Sequence, residues 1–242
     1  MSTQPIPLLG HLRELRKRIL RIILILISGT GVVCFFTKPI FHWLQQPLLR
    51  LLPDHAEFVT LSLMEGWIVY FQVALIAGAF LTSPLWLYQM WVFLAPGLIK
   101  REKKFLTFTA LASALCFILG GAFCYYVVMP YGFRYFIDVL QETDILLMLQ
   151  MKLYLSFVLC FILAFGIVFE LPIGLFFLVH FDIVSLETLK KNRRFMIAGA
   201  FVFGALLTPP DVISQICMAV PFIVLYEAGL IVIALTKKTS HS

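Results

Sequence analysis

Six apolar runs restrict the fold of this chain more than any other feature. They lie at about residues 19–37, 66–88, 106–128, 153–178, 195–207 and 214–235. A helix needs about 20 apolar residues to cross the hydrocarbon core of a bilayer. Only 13% of the residues are charged, against about 25% in a typical soluble domain. We therefore predict an all-α integral membrane protein that forms one polytopic domain over residues 1–242.

The basic residues predict the orientation of these runs. Fifteen Lys and Arg residues lie at the N-terminal end and after the second, fourth and sixth runs. The alternate segments contain only Lys38, Arg50, Arg134 and Lys152. Because basic residues are retained on the cytoplasmic side, this asymmetry predicts six crossings with both termini in the cytoplasm.

The last two runs are the least certain to cross. The fifth spans only about 20 Å as a helix, which is shorter than the ~30 Å hydrocarbon core, and the sixth is expected to be interrupted by Pro221. A hairpin that does not cross would leave both termini on the same side. The charge count favours two short crossings that thin the bilayer locally.

Three flanking segments also have a helical pattern. Residues 11–22 form an amphipathic helix with a basic face, which predicts a segment at the membrane surface that leads into the first span. A cleaved signal peptide is the competing interpretation, but no small-residue cleavage site follows. Residues 40–52 repeat apolar side chains at helical spacing and predict an outer cap. Thr208 and Asp211 bracket two prolines, as at a helix start.

The stretch 83–104 joins the second and third runs and has an unusual composition. It contains the large aromatic residues Trp86, Trp91 and Phe93, and it ends in a basic cluster around the single acid Glu102. A simple connection between two membrane helices does not need these side chains. We interpret the stretch as the working surface of the protein.

Two acidic residues near the membrane surface are candidate binding groups. Glu14 precedes Lys17 by three and Arg18 by four residues, so an ordinary helical ion pair is its simplest explanation. Glu102 has no basic residue at helical spacing if a helix continues through it. A cationic partner from elsewhere and a solvated charge both remain open for Glu102.

Glu170 lies inside the fourth apolar run. A charge at membrane depth costs at least about 2.5–3.5 kcal/mol, and Gly166 and Gly174 flank it on the same helical face. Such a face is expected to contact protein or a wet cavity rather than lipid. A structural hydrogen bond between helices and a functional acid are both consistent with this pattern.

No enzyme motif accompanies these acids. The sequence has no phosphate-binding loop, no H-E-x-x-H and no G-x-S-x-G. Its five histidines have no ligand spacing, and its cysteines form no C-x-x-C pair. We therefore predict a protein that is not an enzyme and has no metal, cofactor or nucleic-acid ligand.

Several motifs in the right order resemble the TatC family, the multispanning subunit of twin-arginine protein translocases. They are His-Leu-Arg-Glu-Leu-Arg-Lys-Arg at 11–18, Tyr-Gln-Met-Trp-Val-Phe-Leu-Ala-Pro-Gly-Leu at 88–98, Glu-Lys-Lys at 102–104, Phe-Gly at 165–166, Phe-Glu-Leu-Pro at 169–172, Leu-Leu-Thr-Pro-Pro-Asp at 206–211 and Ser-Gln at 214–215. The resemblance covers nearly the whole chain. It implies six transmembrane helices, the last two short, in a concave, glove-like arrangement.

The resemblance also implies a function and its residues. The protein would bind the twin-arginine signal peptide of folded proteins, with Glu14, Arg16, Phe93 and Glu102 at the signal and Glu170 in an intramembrane cavity. Arginine is well suited to such acids, because its planar fork binds a carboxylate through two bonds.

Further residues and partners follow from the same resemblance. Thr208 and Gln215 would contact single-span partners of the TatA and TatB type, and Pro47 and Asp211 would be structurally important in their loops. The implied setting is the inner membrane of the cell, with self-association, a surrounding lipid bilayer and export driven by the proton-motive force. The alternative is a proton-coupled small-solute transporter with Glu170 as its relay.

Overall fold

The computed structural model describes residues 8–52, 58–94, 103–141, 148–207 and 212–240. In chain order the elements are α1 (Leu8–Cys34), α2 (Thr37–Leu49), β1 (Phe58–Val59), α3 (Leu63–Leu81), α4 (Ser83–Leu94), α5 (Lys103–Phe123), a π-helical turn (Cys124–Val128), α6 (Met129–Gln141), β2 (Leu149–Gln150), α7 (Met151–Phe169), α8 (Leu171–His180), α9 (Leu186–Lys191), α10 (Arg193–Leu207) and α11 (Val212–Ser240). The two strands pair in parallel through two residues each. The predicted all-α class is therefore confirmed.

Four helical stretches among the described residues are long and apolar enough to cross a membrane. They are Leu63–Leu81, Lys104–Asp138, Met151–His180 and Gln215–Thr236. A fifth is possible if α1 and α2, which bend by 86° at their junction, form one broken span. α10 has only 15 residues, or about 22 Å. Six crossings and the side of each terminus therefore stay predictions.

The chain divides into two compact units, of which the first comprises Met1–Phe41 and Tyr70–Leu115. Within it, α1 and α3 approach at two glycines. A Cβ on Gly29 would lie 2.9 Å from the carbonyl oxygen of Gly78, and a Cβ on Gly78 would lie 2.7 Å from the amide nitrogen of Thr30. Small residues permit this approach of two membrane helices, as at other helix crossings in lipid.

The predicted second span, 66–88, is broken in the structure at Thr82. Pro84 lacks an amide hydrogen and cannot continue the hydrogen-bond ladder of α3. The hydroxyl of Thr82 donates to the carbonyl of Gly78 at 2.8 Å, and the indole of Trp86 donates to the carbonyl of Ala79 at 2.9 Å. The carbonyl of Gly78 also accepts from the amide of Thr82 at 3.0 Å, so the hydroxyl reinforces the last turn of α3, and the indole supplies a donor to a second carbonyl at the helix end. α4 begins at once.

The second unit comprises His42–Val69 and Cys116–Ser242. Its largest helix pairings are those of α11 with α8 and α10. Leu175, Val179, Tyr226, Leu230 and Ile233 form a buried cluster between α8 and α11. α11 remains helical through Pro221, so this proline does not interrupt the sixth apolar run.

The crossing of α5 and α7 in the same unit also depends on glycine. A Cβ on Gly120 would collide with the carbonyl of Phe165, and a Cβ on Gly166 would lie 2.8 Å from the ring of Phe117. Gly174 has open space around it instead. Gly166, Glu170 and Gly174 were predicted to share one helical face. Only part of this face packs against protein, because Gly166 contacts α5 whereas Gly174 borders open space.

Candidate functional site

The amphipathic start of α1 meets α4 through one polar contact. Arg18 donates to Oε1 of Glu14 from Nε at 3.0 Å and from Nη2 at 2.5 Å. Its Nη1 donates to the side-chain oxygen of Gln89 on α4 at 3.4 Å. We call Glu14, Arg18 and Gln89 the arginine contact. It joins the start of α1, which contains the predicted binding residue Glu14, to the stretch 83–104 that we interpreted as the working surface.

The predicted ion pair of Glu14 with Arg18 is thus present, at the expected separation of four residues. The Glu14 side chain is 44% exposed, whereas that of Arg18 is only 16% exposed. The carboxylate is therefore accessible to solutes while its arginine partner is largely covered.

The other predicted signal residues lie on the same elements or outside the described part of the chain. Arg16 is exposed on α1, and Phe93 is half-buried on α4. Glu102 lies outside the described residues. α4 is held by Trp91, whose indole donates to the hydroxyl of Ser113 on α5 at 2.8 Å. Because Trp91 and Ser113 are both buried, this bond helps to fix the position of Phe93, two residues further along α4.

Glu170 forms the junction of α7 and α8. Its amide donates to the carbonyl of Ile167, and its own carbonyl accepts from Gly174 at 2.8 Å. Pro172 follows at the start of α8 and cannot continue the ladder of α7. The Oε1 atom of Glu170 is buried. The acid therefore sits at a helix break, half-buried, with one carboxylate oxygen covered by protein.

Gln215 connects α11 with α10. Its side-chain amide donates to the carbonyl of Phe201 at 3.0 Å. A Cβ on Gly204 would lie 3.2 Å from the carbonyl of Gln215, so the two helices are close at this point. Thr208 and Asp211 fall outside the described residues.

Pro47 lies inside α2 and has a specific consequence for the carbonyl of Trp43. A helical residue at position 47 would donate its amide hydrogen to the carbonyl four residues earlier, but proline has no such hydrogen. The hydroxyl of Tyr125 donates to this carbonyl at 2.5 Å, and the Tyr125 ring stacks on Trp43 with centroids 3.9 Å apart. Tyr154 donates to the neighbouring carbonyl of Leu44 at 3.0 Å. We call Trp43, Leu44, Tyr125 and Tyr154 the α2 anchorage.

Three polar residues with well-defined partners were not predicted as site residues. Gln89 was noted only as part of a motif. Glu65, which is 6% exposed, accepts from the side chain of Gln150 at 2.8 Å and from the amide of Leu61 at 3.3 Å. The spacing of Ser62 and Glu65 is that of a capping box, and this signal could have identified it.

Glu227 is the third of these residues. It pairs with Arg193 of α10 at 2.9 Å, so this acid of the last apolar run has a basic partner from the neighbouring helix. Within the described ranges, no group of three His, Cys, Asp or Glu side chains could hold a metal ion.

The fold and the arginine contact define a class of protein: a multi-pass helical membrane protein in which the partly exposed acid Glu14 binds a guanidinium group. Comparison with known proteins identifies the family. The sequence model described as "TatC: Sec-independent protein translocase protein (TatC)" matches residues 10–221. The chain belongs to the TatC family, and it is a membrane component of a protein translocase rather than an enzyme.

Relatives and solved structures agree with this assignment. The Sec-independent protein translocase protein TatC of Desulforapulum autotrophicum is 39% identical over 225 residues, which cover 93% of this chain and 83% of the relative. The TatC protein of Aquifex aeolicus is 38% identical over 226 residues, with 93% of each chain covered. A crystal structure described as the twin-arginine translocase receptor TatC superimposes with a TM-score of 0.84 at 36% identity, covering 94% of this chain and 99% of that one. The alternative of a small-solute transporter is therefore set aside.

Proposed function

We propose that this chain is the receptor subunit of a twin-arginine translocation complex and binds the paired arginines of signal peptides at the start of α1 and the end of α4. The observation that carries the proposal is the arginine contact, in which Glu14 and Gln89 together bind one guanidinium group. The same two helices also contain the exposed Arg16 and the half-buried Phe93.

The two acids would divide the arginine pair between them. Glu14 is accessible on α1, and Glu102 would supply a second carboxylate from the segment between α4 and α5. Guanidinium binds carboxylate through two parallel bonds, which an ammonium group cannot reproduce. Phe93 would pack against an apolar residue that follows the arginines.

Glu170 would act on the apolar part of the signal. It lies at the break between α7 and α8, where Pro172 is in the first turn of the next helix and Gly174 leaves open space beside it. A signal helix that inserts beside this break would find a polar group at membrane depth, where a polar contact is not weakened by competition with water.

The complex would form in the inner membrane, with both termini in the cytoplasm, through self-association and through single-span partners of the TatA and TatB type. Thr208 and Gln215 are the proposed contact residues for these partners, and Pro47 and Asp211 hold their segments in shape. Export would use the proton-motive force, in keeping with a sequence that contains no phosphate-binding loop.

Site-specific cross-linking tests this proposal. A photoreactive residue placed at position 93, 102 or 170 of the full-length chain should capture a bound twin-arginine signal peptide. The same residue at position 71 is a matched control, because Phe71 is 62% exposed on α3. Substitution of the two signal arginines by lysine should reduce capture at 93 and 102. Equal capture at all four positions would contradict the proposal. So would capture that stays the same when the two signal arginines are replaced by lysine.

A further inference from the structure

The arginine contact already contains an arginine, and this arginine belongs to the chain itself. We propose that Arg18 occupies the arginine subsite of Glu14 and Gln89 when no signal is bound, and that an arginine of the signal peptide takes its place. The inference rests on the proposed function and deepens it, because it names the group that the signal must displace.

The geometry of Arg18 indicates a subsite for guanidinium rather than for any cation. Nε and Nη2 both donate to Oε1 of Glu14, and Nη1 donates to Gln89 on another helix. One planar group therefore uses three of its N–H directions at once, which a lysine ammonium group on a flexible stem does not match.

The exposure of the pair favours exchange. Glu14 is 44% exposed at its side chain, and among the described residues no donor other than Arg18 reaches it. An incoming guanidinium can therefore approach the carboxylate before Arg18 leaves. The carboxylate is neutralised throughout such an exchange, so no charge is left buried without a partner.

The strength of the contact also fits a displaceable group. Ion pairs at a separation of four residues on a helix contribute little to stability when water reaches one of the charges, and the carboxylate of Glu14 is accessible to water although Arg18 is largely covered. The released Arg18 can extend its long side chain and place its charge in water. Displacement should therefore lower the apparent affinity for the signal only modestly, while it excludes cations that bind Glu14 less well than guanidinium.

A binding experiment separates this role from a merely structural one. The full-length chain in lipid nanodiscs is titrated against a fluorescent twin-arginine signal peptide, with anisotropy as the readout. Arg18→Gln should bind this peptide roughly two- to fivefold more tightly, because the competing arginine is gone. If Arg18 instead holds Glu14 in place, Arg18→Gln should bind more weakly, and the proposal is wrong.

Two control variants remove the effect of net charge. Arg21→Gln deletes the same charge from an exposed position three residues along α1 and should leave the affinity nearly unchanged. Arg18→Lys keeps the charge but loses the fork and should bind slightly more tightly than the wild type. If Arg21→Gln tightens binding as much as Arg18→Gln, simple charge repulsion explains the result and the proposal is overturned.

Glu14→Gln distinguishes the failure of this inference from the failure of the proposed function. Glu14→Gln should weaken binding, and adding Arg18→Gln to it should have no further effect. If Glu14→Gln leaves the affinity unchanged, Glu14 does not bind the signal, and both proposals fail. If Glu14→Gln weakens binding but Arg18→Gln does not strengthen it, only the displacement of Arg18 is excluded.

Gln89 is tested in the Arg18→Gln background, where no internal arginine competes. Gln89→Met, which is similar in size but cannot accept the hydrogen bond, should weaken the binding of the twin-arginine peptide roughly two- to fivefold. A peptide with two lysines should be unaffected. An equal loss for both peptides, or no loss, would exclude Gln89 from the subsite.

Discussion

The arginine contact and the α2 anchorage both join separate helices through side-chain hydrogen bonds, but they differ in exposure. Glu14 is 44% exposed, whereas Tyr125 and Tyr154 are 4% and 7% exposed. The arginine contact pairs charged groups that water can also solvate, and the α2 anchorage pairs neutral hydroxyls with helix carbonyls. The first can be exchanged at little cost, whereas loss of the second removes the donor to the carbonyl of Trp43, which Pro47 deprives of its helical partner. A chain that must hold its fold while it binds transient ligands needs both kinds of contact.

Removing both hydroxyls of the α2 anchorage should have the largest effect. Tyr125→Phe combined with Tyr154→Phe removes the donor that replaces the missing amide of Pro47 and a second donor to the carbonyl of Leu44, and we expect a loss of about 1–3 kcal/mol in the free energy of unfolding. The measurement is thermal unfolding in detergent. Binding of a twin-arginine peptide to the folded fraction should stay near the wild-type value. An unchanged melting temperature would show that these bonds do not hold α2.

Glu65 extends the comparison to a second carboxylate. Because it is buried and accepts from Gln150 and from the amide of Leu61, Glu65→Gln should destabilise the protein by about 1–2 kcal/mol. Signal binding per folded molecule should not change. A Glu65→Gln variant that unfolds like the wild type but binds the signal poorly would place Glu65 among the recognition groups instead.

The effects of Pro47→Ala and Tyr125→Phe on the free energy of unfolding should be coupled by about 1 kcal/mol. Pro47→Ala supplies an amide hydrogen that competes for the carbonyl of Trp43, so the Tyr125 hydroxyl should matter less in that background. A double-mutant cycle with Tyr125→Phe, measured by thermal unfolding, gives the coupling directly. If Tyr125→Phe costs the same with and without Pro47, the proline is not what frees this carbonyl.

Glu14→Gln should have the smallest effect on stability, below about 0.5 kcal/mol, because the carboxylate is accessible to water and a glutamine oxygen can still accept from Arg18. Its effect on function should be large: we expect roughly tenfold weaker binding of a twin-arginine peptide, since a bond to a charged group is lost. Unfolding and binding are measured on the same preparation. A large loss of stability with intact binding would reverse the roles assigned to Glu14 and Glu65.

The sequence was sufficient for the class of fold and for the pair of Glu14 with Arg18, because hydropathy and helical spacing determine both. It did not predict the helix break at Thr82, since the apolar run continues through it and only Pro84 marks the end of α3. The glycine crossings at Gly29 and Gly120 were missed for a related reason: an isolated glycine does not reveal which helix approaches it.

The other contacts in the site were not predicted because their partners are far apart in the sequence. Gln89 is 71 residues from Arg18 and Gln150 is 85 residues from Glu65, and no periodicity connects such positions. Pro47 was marked only by resemblance, and its physical role became apparent when Tyr125 was found at the carbonyl that the proline leaves free. Glu102, Thr208 and Asp211 lie outside the described residues, so their roles remain proposals.

The exchange of arginines is tested most directly by nitrogen NMR of the guanidinium group of Arg18. The full-length chain is labelled with ¹⁵N-arginine, and the signal that disappears in Arg18→Lys identifies the Nε of Arg18. A saturating twin-arginine peptide should move this resonance from its paired position to that of a hydrated guanidinium, and a peptide with two lysines should not. If the Nε resonance of Arg18 keeps its paired position while the twin-arginine peptide is bound, the signal does not replace Arg18 at Glu14.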